Sequence, residues 1–183
     1  MNQKLPEYID GQKLLSDLEY SLMCQKEQIF FSKLWNDEIS TKLDFLRKFK
    51  TKYEREDYLN TVKNFKHRKY FTRLRLSNHP LRIETGRYFG ELRHERICKF
   101  CSLKEVESES HFLLFCTLYD HLRIPFYSEL NKHFTSFNDF SDEQKLQVIM
   151  KPQNSTVGTV VTYISKCIEK RSLILPPREG ARV

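Results

Sequence analysis

Three of the five cysteines in this chain fall between residues 98 and 116 with a histidine among them, in the order Cys98-x2-Cys101-x9-His111-x4-Cys116. Two cysteines with two residues between them share one tight turn, so their thiolates can grip a single metal ion from one side. The nine-residue spacer is long enough to double back and deliver His111 and Cys116 as the remaining ligands. Three thiolates and an imidazole suit tetrahedral Zn2+, a borderline-soft ion with no geometric preference of its own. A fourth protein ligand closes the shell that a catalytic zinc keeps open, so the expected site is structural. Ordinary core cysteines are the competing reading, because free Cys is among the most buried residue types and Phe112 to Phe115 are apolar. Clustering favours metal, since Cys24 and Cys167 stand alone. One geometric condition attaches. Residues five apart lie about 140° from each other around an ideal helix, so His111 and Cys116 share a metal only at a helix end or across a distorted turn.

The excess charge lies beside this cluster. The net charge is +7, yet residues 63–99 hold eleven Lys/Arg against three Glu, which leaves the rest of the chain slightly acidic. A basic block of this kind is the footprint of a phosphate backbone. The candidate contacts are Lys63, Lys66, Arg68, Lys69, Arg73, Arg75, Arg87, Arg93 and Arg96. A solvated face is the plainer reading of a charge run, and Arg82, Arg87, Arg93 and Arg96 have Glu84, Glu91 and Glu95 near them in sequence as pairing partners. Phe65, Tyr70 and Phe71 are candidates to stack on bases, although interleaved aromatics more often belong to a core.

Fourteen Phe and nine Tyr argue against disorder, and only five glycines and six prolines favour helices over an all-β chain. The expected fold is mainly α, a helical domain with an embedded CCHC zinc-knuckle-like module. Its expected parts are a flexible start at 1–11, a helical, basic linker at 12–92, the zinc module at 93–127, C-terminal helices at 128–172 and a disordered tail at 173–183. Cys24 and Cys167 read as buried small hydrophobes. A helix break is predicted near His67, with one long helix as the alternative, and Asn78 to Pro80 should stop the helix that precedes them. Gly86 and Gly90 permit tight backbone geometry. His79 and His94 read as capping or surface residues. Ser108 or Ser110 is a candidate N-cap, Pro125 should break the helix that follows or begin the next segment, and Ser141 with Gln144 fits a capping box. No apolar stretch approaches a membrane span, and the beginning MNQKLPEYIDGQK has no apolar core of a signal peptide. With the odd cysteine count, this points to a reducing intracellular compartment, the nucleus ahead of the cytoplasm.

The run FKHRKYFTRLRLSNHPLRIETGRYFGELRHERICKFCSLKEVESESHFLLFCTLYDHLR resembles the segment that follows the polymerase domain in non-LTR (LINE-type) retrotransposon reverse transcriptases. The similar features are an LR-x-S-x-H-x-L-x-IE-x-GR-Y stretch, ER-x-C-x-x-C, an acidic EVE loop and HFLL-x-C-x-x-Y-x-x-LR. Upstream, KLDFLRKFKTKYEREDYL is similar to that family's helical linker, so the resemblance spans about residues 34–127. It implies a thumb-like character for the linker and a CCHC module on Cys98, Cys101, His111 and Cys116 that helps to hold template RNA or target DNA. The chain departs from the family in having no fingers, palm or catalytic aspartates. Ser108, Ser110 and Thr117 also stand where the pattern has other residues. Polymerase activity therefore does not carry over, and the chain reads as a fragment or domesticated remnant.

The leading expectation is a non-catalytic, zinc-stabilised module that binds nucleic acid, with RNA favoured over duplex DNA because no recognition-helix pattern is evident. The alternative is a zinc-structured protein-interaction module that presents the acidic loop 105–109 or the Phe-rich segment 126–140 to a partner. A deaminase-type zinc enzyme needs H-x-E, and His111 is followed by Phe112 and Leu113.

Overall fold

The computed structural model describes residues 11–35, 43–52 and 54–174. Of the flexible start expected at 1–11 and the disordered tail expected at 173–183, residues 1–10 and 175–183 lie outside the described residues. Two compact units emerge, one from residues 1–41 with 50–54 and one from 42–49 with 55–183. The segment 12–92 is therefore divided between units, and the zinc segment 93–127 shares its unit with the helices on either side.

The first unit is built on one helix, α1 (Gly11–Trp35), which runs unbroken through Cys24. Leu15, Leu18, Leu22 and Ile29 are exposed on it. Cys24 is only half-buried, which corrects the expectation of a core cysteine: its described neighbours on the helix are exposed.

The second unit contains α2 (Asp44–Arg47), α3 (Tyr58–Thr61), α4 (Phe65–Arg75), α5 (Arg82–Thr85), α6 (Asp120–Asn131), α7 (Asp142–Met150) and α8 (Val157–Ile174). The protein is mainly helical, with no strand among the described residues. Its core is organised on α8, whose Val157, Val160, Val161, Ile164, Cys167 and Ile168 recur at helical spacing and are buried. α8 packs on α4 and α6, and Phe126 of α6 stacks on Tyr163 of α8 with ring centroids 4.1 Å apart. The helix extends to Ile174, past the boundary expected at 172.

Three local expectations are corrected. The break before α4 falls at residues 62–64 and not at His67, because Val62 turns extended and Asn64 caps the new helix by accepting from the His67 amide at 3.2 Å. Pro125 lies inside α6 without ending it. A proline removes one backbone donor, and burial of Phe126 and Leu130 from the same helix outweighs that loss. The phenylalanines of 126–140 turn inward: Phe126 and Phe137 are buried, and Phe134 and Phe140 pack against the same core. The surface that this segment presents is therefore polar, made of Ser128, Lys132, His133, Thr135, Ser136, Asn138 and Asp139.

The end of α4 is closed by backbone geometry. The Asn78 amide donates to the Arg73 carbonyl at 2.8 Å and the Ser77 amide to the Leu74 carbonyl at 3.2 Å, the paired bonds of a Schellman motif. Ser77 occupies its left-handed position at φ 49°, where glycine is usual. Ser141 and Gln144 form the expected capping box that opens α7. Gly86 is required by close approach, since a Cβ there would meet Glu91 Oε2 at 2.5 Å and Arg96 Cγ at 2.6 Å.

Candidate metal centre

The cluster is assembled from two irregular pieces of backbone. Residues 96–107 double back as a narrow hairpin, with the Cys98 amide donating to the Glu105 carbonyl at 2.8 Å and the Glu107 amide to the Arg96 carbonyl at 2.9 Å. Ile97 and Val106 form an antiparallel bridge, and Lys104 turns the loop at φ 55°. This hairpin, which sequence reading treats as an acidic loop, carries Cys98 and Cys101.

The second piece is a π turn, His111–Phe115. The Cys116 amide donates to the His111 carbonyl at 2.8 Å, an i to i+5 bond. Widening the turn brings residues five apart one above the other. That is the distorted turn the spacing demands. Ser108 caps its approach, its hydroxyl accepting from the His111 amide at 3.1 Å. Irregular backbone leaves carbonyls that need donors. Arg123 donates to the Leu113 and Cys116 carbonyls at 3.1 and 2.8 Å, and Tyr163 donates to Leu113 at 2.8 Å.

The candidate ligand atoms of Cys98, Cys101, His111 and Cys116 all lie within 4.8 Å of one another, close enough to hold one metal ion. The Cys98 and Cys116 sulfurs are 3.8 Å apart, and Cys101 Sγ lies 3.3 Å from His111 Nε2. Tetrahedral zinc with its usual bond lengths to sulfur needs sulfurs about 3.8 Å apart, so the donor set fits. His111 Nδ1 faces Glu105 Oε2 at 3.0 Å. A carboxylate on the outer nitrogen fixes the ring with Nε2 towards the cluster, the usual support of a metal-bound histidine.

Without metal, these groups share protons unequally. The hydrogen bond with Cys116, reinforced by burial, pushes the Cys98 thiol up to about 12. The same bond holds Cys116 below the usual thiol range. Burial works against a charged His111, but hydrogen bonds with Cys98 and Glu105 outweigh it and raise the imidazole to about 9.

Glu107 anchors this centre to the helices. Its carboxylate accepts from Arg171 of α8 through Nε at 3.1 Å and Nη2 at 2.8 Å, and from the Arg82 amide at 2.7 Å. The Arg171 guanidinium also lies 4.6 Å from the ring centroid of Phe100, between Cys98 and Cys101. Glu109 is likewise buried, accepting from Ser77 at 2.9 Å and from His79 at 3.0 Å. Glu107 and Glu109 of the acidic loop are therefore internal while Glu105 is exposed, and His79 is a buried partner instead of a surface or capping residue. Buried carboxylates need buried donors, and those donors come from segments too distant in sequence to be read as pairs.

The nine basic candidates separate into two groups. Arg75 is buried, paired with Glu56 at 2.8 Å and lying over the Tyr58 and Phe71 rings. Arg96 donates to the Ile83 and Glu91 carbonyls, and Arg68 to the Val62 carbonyl at 3.0 Å. Arg87 pairs with Glu84. Arg75, Arg96 and Arg68 have structural partners, their planar donors satisfying buried or half-buried acceptors. Lys63, Lys66, Lys69, Arg73 and Arg93 are exposed. Lys66 also reaches Glu169 at 2.8 Å. Of the aromatic candidates, Phe71 is buried core, Phe65 is exposed and Tyr70 is half-buried.

No protein-family model, no curated protein and no solved structure matches this chain. Its site is read from its own geometry. Among the described residues, no helix is long and apolar enough to cross a membrane.

Proposed function

We propose that this protein is a non-catalytic module in which one structural Zn2+, held by Cys98, Cys101, His111 and Cys116, braces a helical surface that binds single-stranded nucleic acid. The observation that carries the metal half is the convergence of four donor atoms within 4.8 Å across an i to i+5 turn. Zinc is the ion this donor set selects, because three thiolates and an imidazole match its softness and tetrahedral shell. The nucleic-acid half rests on the exposed cations of α4. Lys66, Lys69 and Arg73 follow one another at three- and four-residue spacing, with Lys63 just ahead of the helix, so they line one outward face. Such a row neutralises phosphates without reading sequence. The resemblance to the post-polymerase segment of LINE-type reverse transcriptases agrees with a nucleic-acid partner, RNA or DNA.

The test joins elemental analysis of the purified protein to salt-titrated binding of single-stranded RNA. One zinc per chain and steeply salt-dependent binding are expected. Replacing Lys63 and Lys69 by glutamate should lower the log–log salt slope by roughly 0.7 for each single-strand phosphate that is no longer neutralised. Zinc content should stay the same. A metal-free protein that is fully folded refutes the zinc assignment, and no binding at low salt refutes the nucleic-acid assignment.

A further inference from the structure

A cleft of about 520 Å³ opens beside the basic face of α4, between that helix and the segment 77–88. Its size falls within the roughly 300–1,000 Å³ of small-ligand sites. Tyr70 and Arg73 line one side, Tyr88 and Glu84 belong to the other, and His79 also lines it. Tyr88 is 83% exposed, so its ring is open to contact.

His79 carries the second observation. Its side chain is 1% exposed, and Nε2 faces the Glu109 carboxylate, which also accepts from Ser77. A carboxylate only accepts, so Nε2 bears the proton, and in that tautomer Nδ1 is the acceptor of the ring. Nδ1 is buried and has no hydrogen-bond partner among the described residues. A buried polar atom without a partner is costly, and here it belongs to a residue lining an open cleft. What would satisfy it is an N–H group on a ligand.

We propose that this cleft takes one everted base of a single strand lying along α4. The base lies against the tyrosine walls, an amino or imino N–H donates to His79 Nδ1, and Arg73 meets the flanking phosphate. Every base has a π face, so an aromatic wall accepts any of them, and the donor requirement adds a preference for the edge that is presented. The inference rests on the nucleic-acid reading above and adds the place where a base, as distinct from the backbone, is held.

The experiment uses the full zinc-loaded chain and single strands carrying 2-aminopurine, compared with strands of equal charge that are abasic at the same positions. RNA and DNA versions run side by side, and a base preference on either supports the cleft. The expected result is fluorescence quenching on binding and about tenfold tighter binding of the base-bearing strand. Tyr88→Ala should abolish that preference while leaving abasic-strand affinity and the salt slope unchanged. Because Tyr88 is exposed, this variant does not endanger folding. His79→Gln should weaken the preference as well. Equal affinity for base-bearing and abasic strands, or a Tyr88→Ala protein that keeps the preference, overturns the cleft and leaves the charged face standing. Absence of any binding at low salt removes both.

Discussion

Arg171, near the end of α8, holds Glu107 of the metal-site hairpin through two hydrogen bonds of 3.1 and 2.8 Å, with both side chains at most 3% exposed. The pair ties the longest helix of the second unit to the backbone that presents two candidate ligands. Arg171→Met should cost about 3–5 kcal/mol, because it strands a buried carboxylate. Adding Glu107→Gln should restore part of the loss, since the neutral amide oxygen can still accept from the Arg82 amide. Denaturant titration of both singles and the double closes the cycle. Additive losses would mean that the two groups do not act as a pair.

The π turn makes its own prediction. His111 and Cys116 are brought together by one widened turn, so inserting or deleting a residue between them should abolish metal binding as completely as Cys98→Ser. Metal removal by a chelator should lower the melting temperature by roughly 8–16 °C, from about 4 kcal/mol of linkage at a thousandfold excess over Kd. Hydrogen exchange should rise first in residues 96–119. An unchanged melting temperature would make the cluster a set of packed thiols.

Proton release gives a third test. In the metal-free protein Cys98 titrates at about 12 and His111 at about 9, so at neutral pH both hold protons that a metal must displace. Raising the pH removes those protons, and affinity must therefore rise with pH and fall as pH drops. Zinc added to the metal-free protein in weak buffer near pH 7 should acidify the solution. No proton release would contradict ligation by these groups.

Ser77 separates strain from hydrogen bonding. Its left-handed backbone at φ 49° favours glycine, while its hydroxyl serves buried Glu109. Ser77→Ala keeps the strain and loses the bond, at about 1–3 kcal/mol. Ser77→Gly loses the same bond but relieves the backbone, and should be more stable than the alanine variant by about 1 kcal/mol. Thermal unfolding of the two variants decides, and equal stabilities would show that the position is unstrained.

Local signals were legible where the cause is local. The capping box of Ser141 and Gln144, the apolar stripe of α8 with Cys167 on it, the Ser108 cap and the tight backbone at Gly86 all follow from neighbours within one or two turns. The break placed at His67 failed because Asn64, a capping residue three positions earlier, competes for the same chain and wins. Pro125 misled for a related reason: its local cost is real, but Phe126 and Leu130 are buried in the shared core beside it.

The sequence by itself determined which residues could meet a metal, because the spacing Cys98-x2-Cys101-x9-His111-x4-Cys116 limits what a turn and a return can deliver. It also determined the helical class, through glycine scarcity and periodic apolar residues. Only the tertiary structure decided what became of the charges. Arg75, Arg96 and Glu107 look like any other surface charges in sequence, yet each is held by a partner supplied by distant chain or by a bent backbone. A charge in low dielectric is tolerable only when its partner arrives with it, and that arrival is a property of the packed helices, which no local pattern encodes.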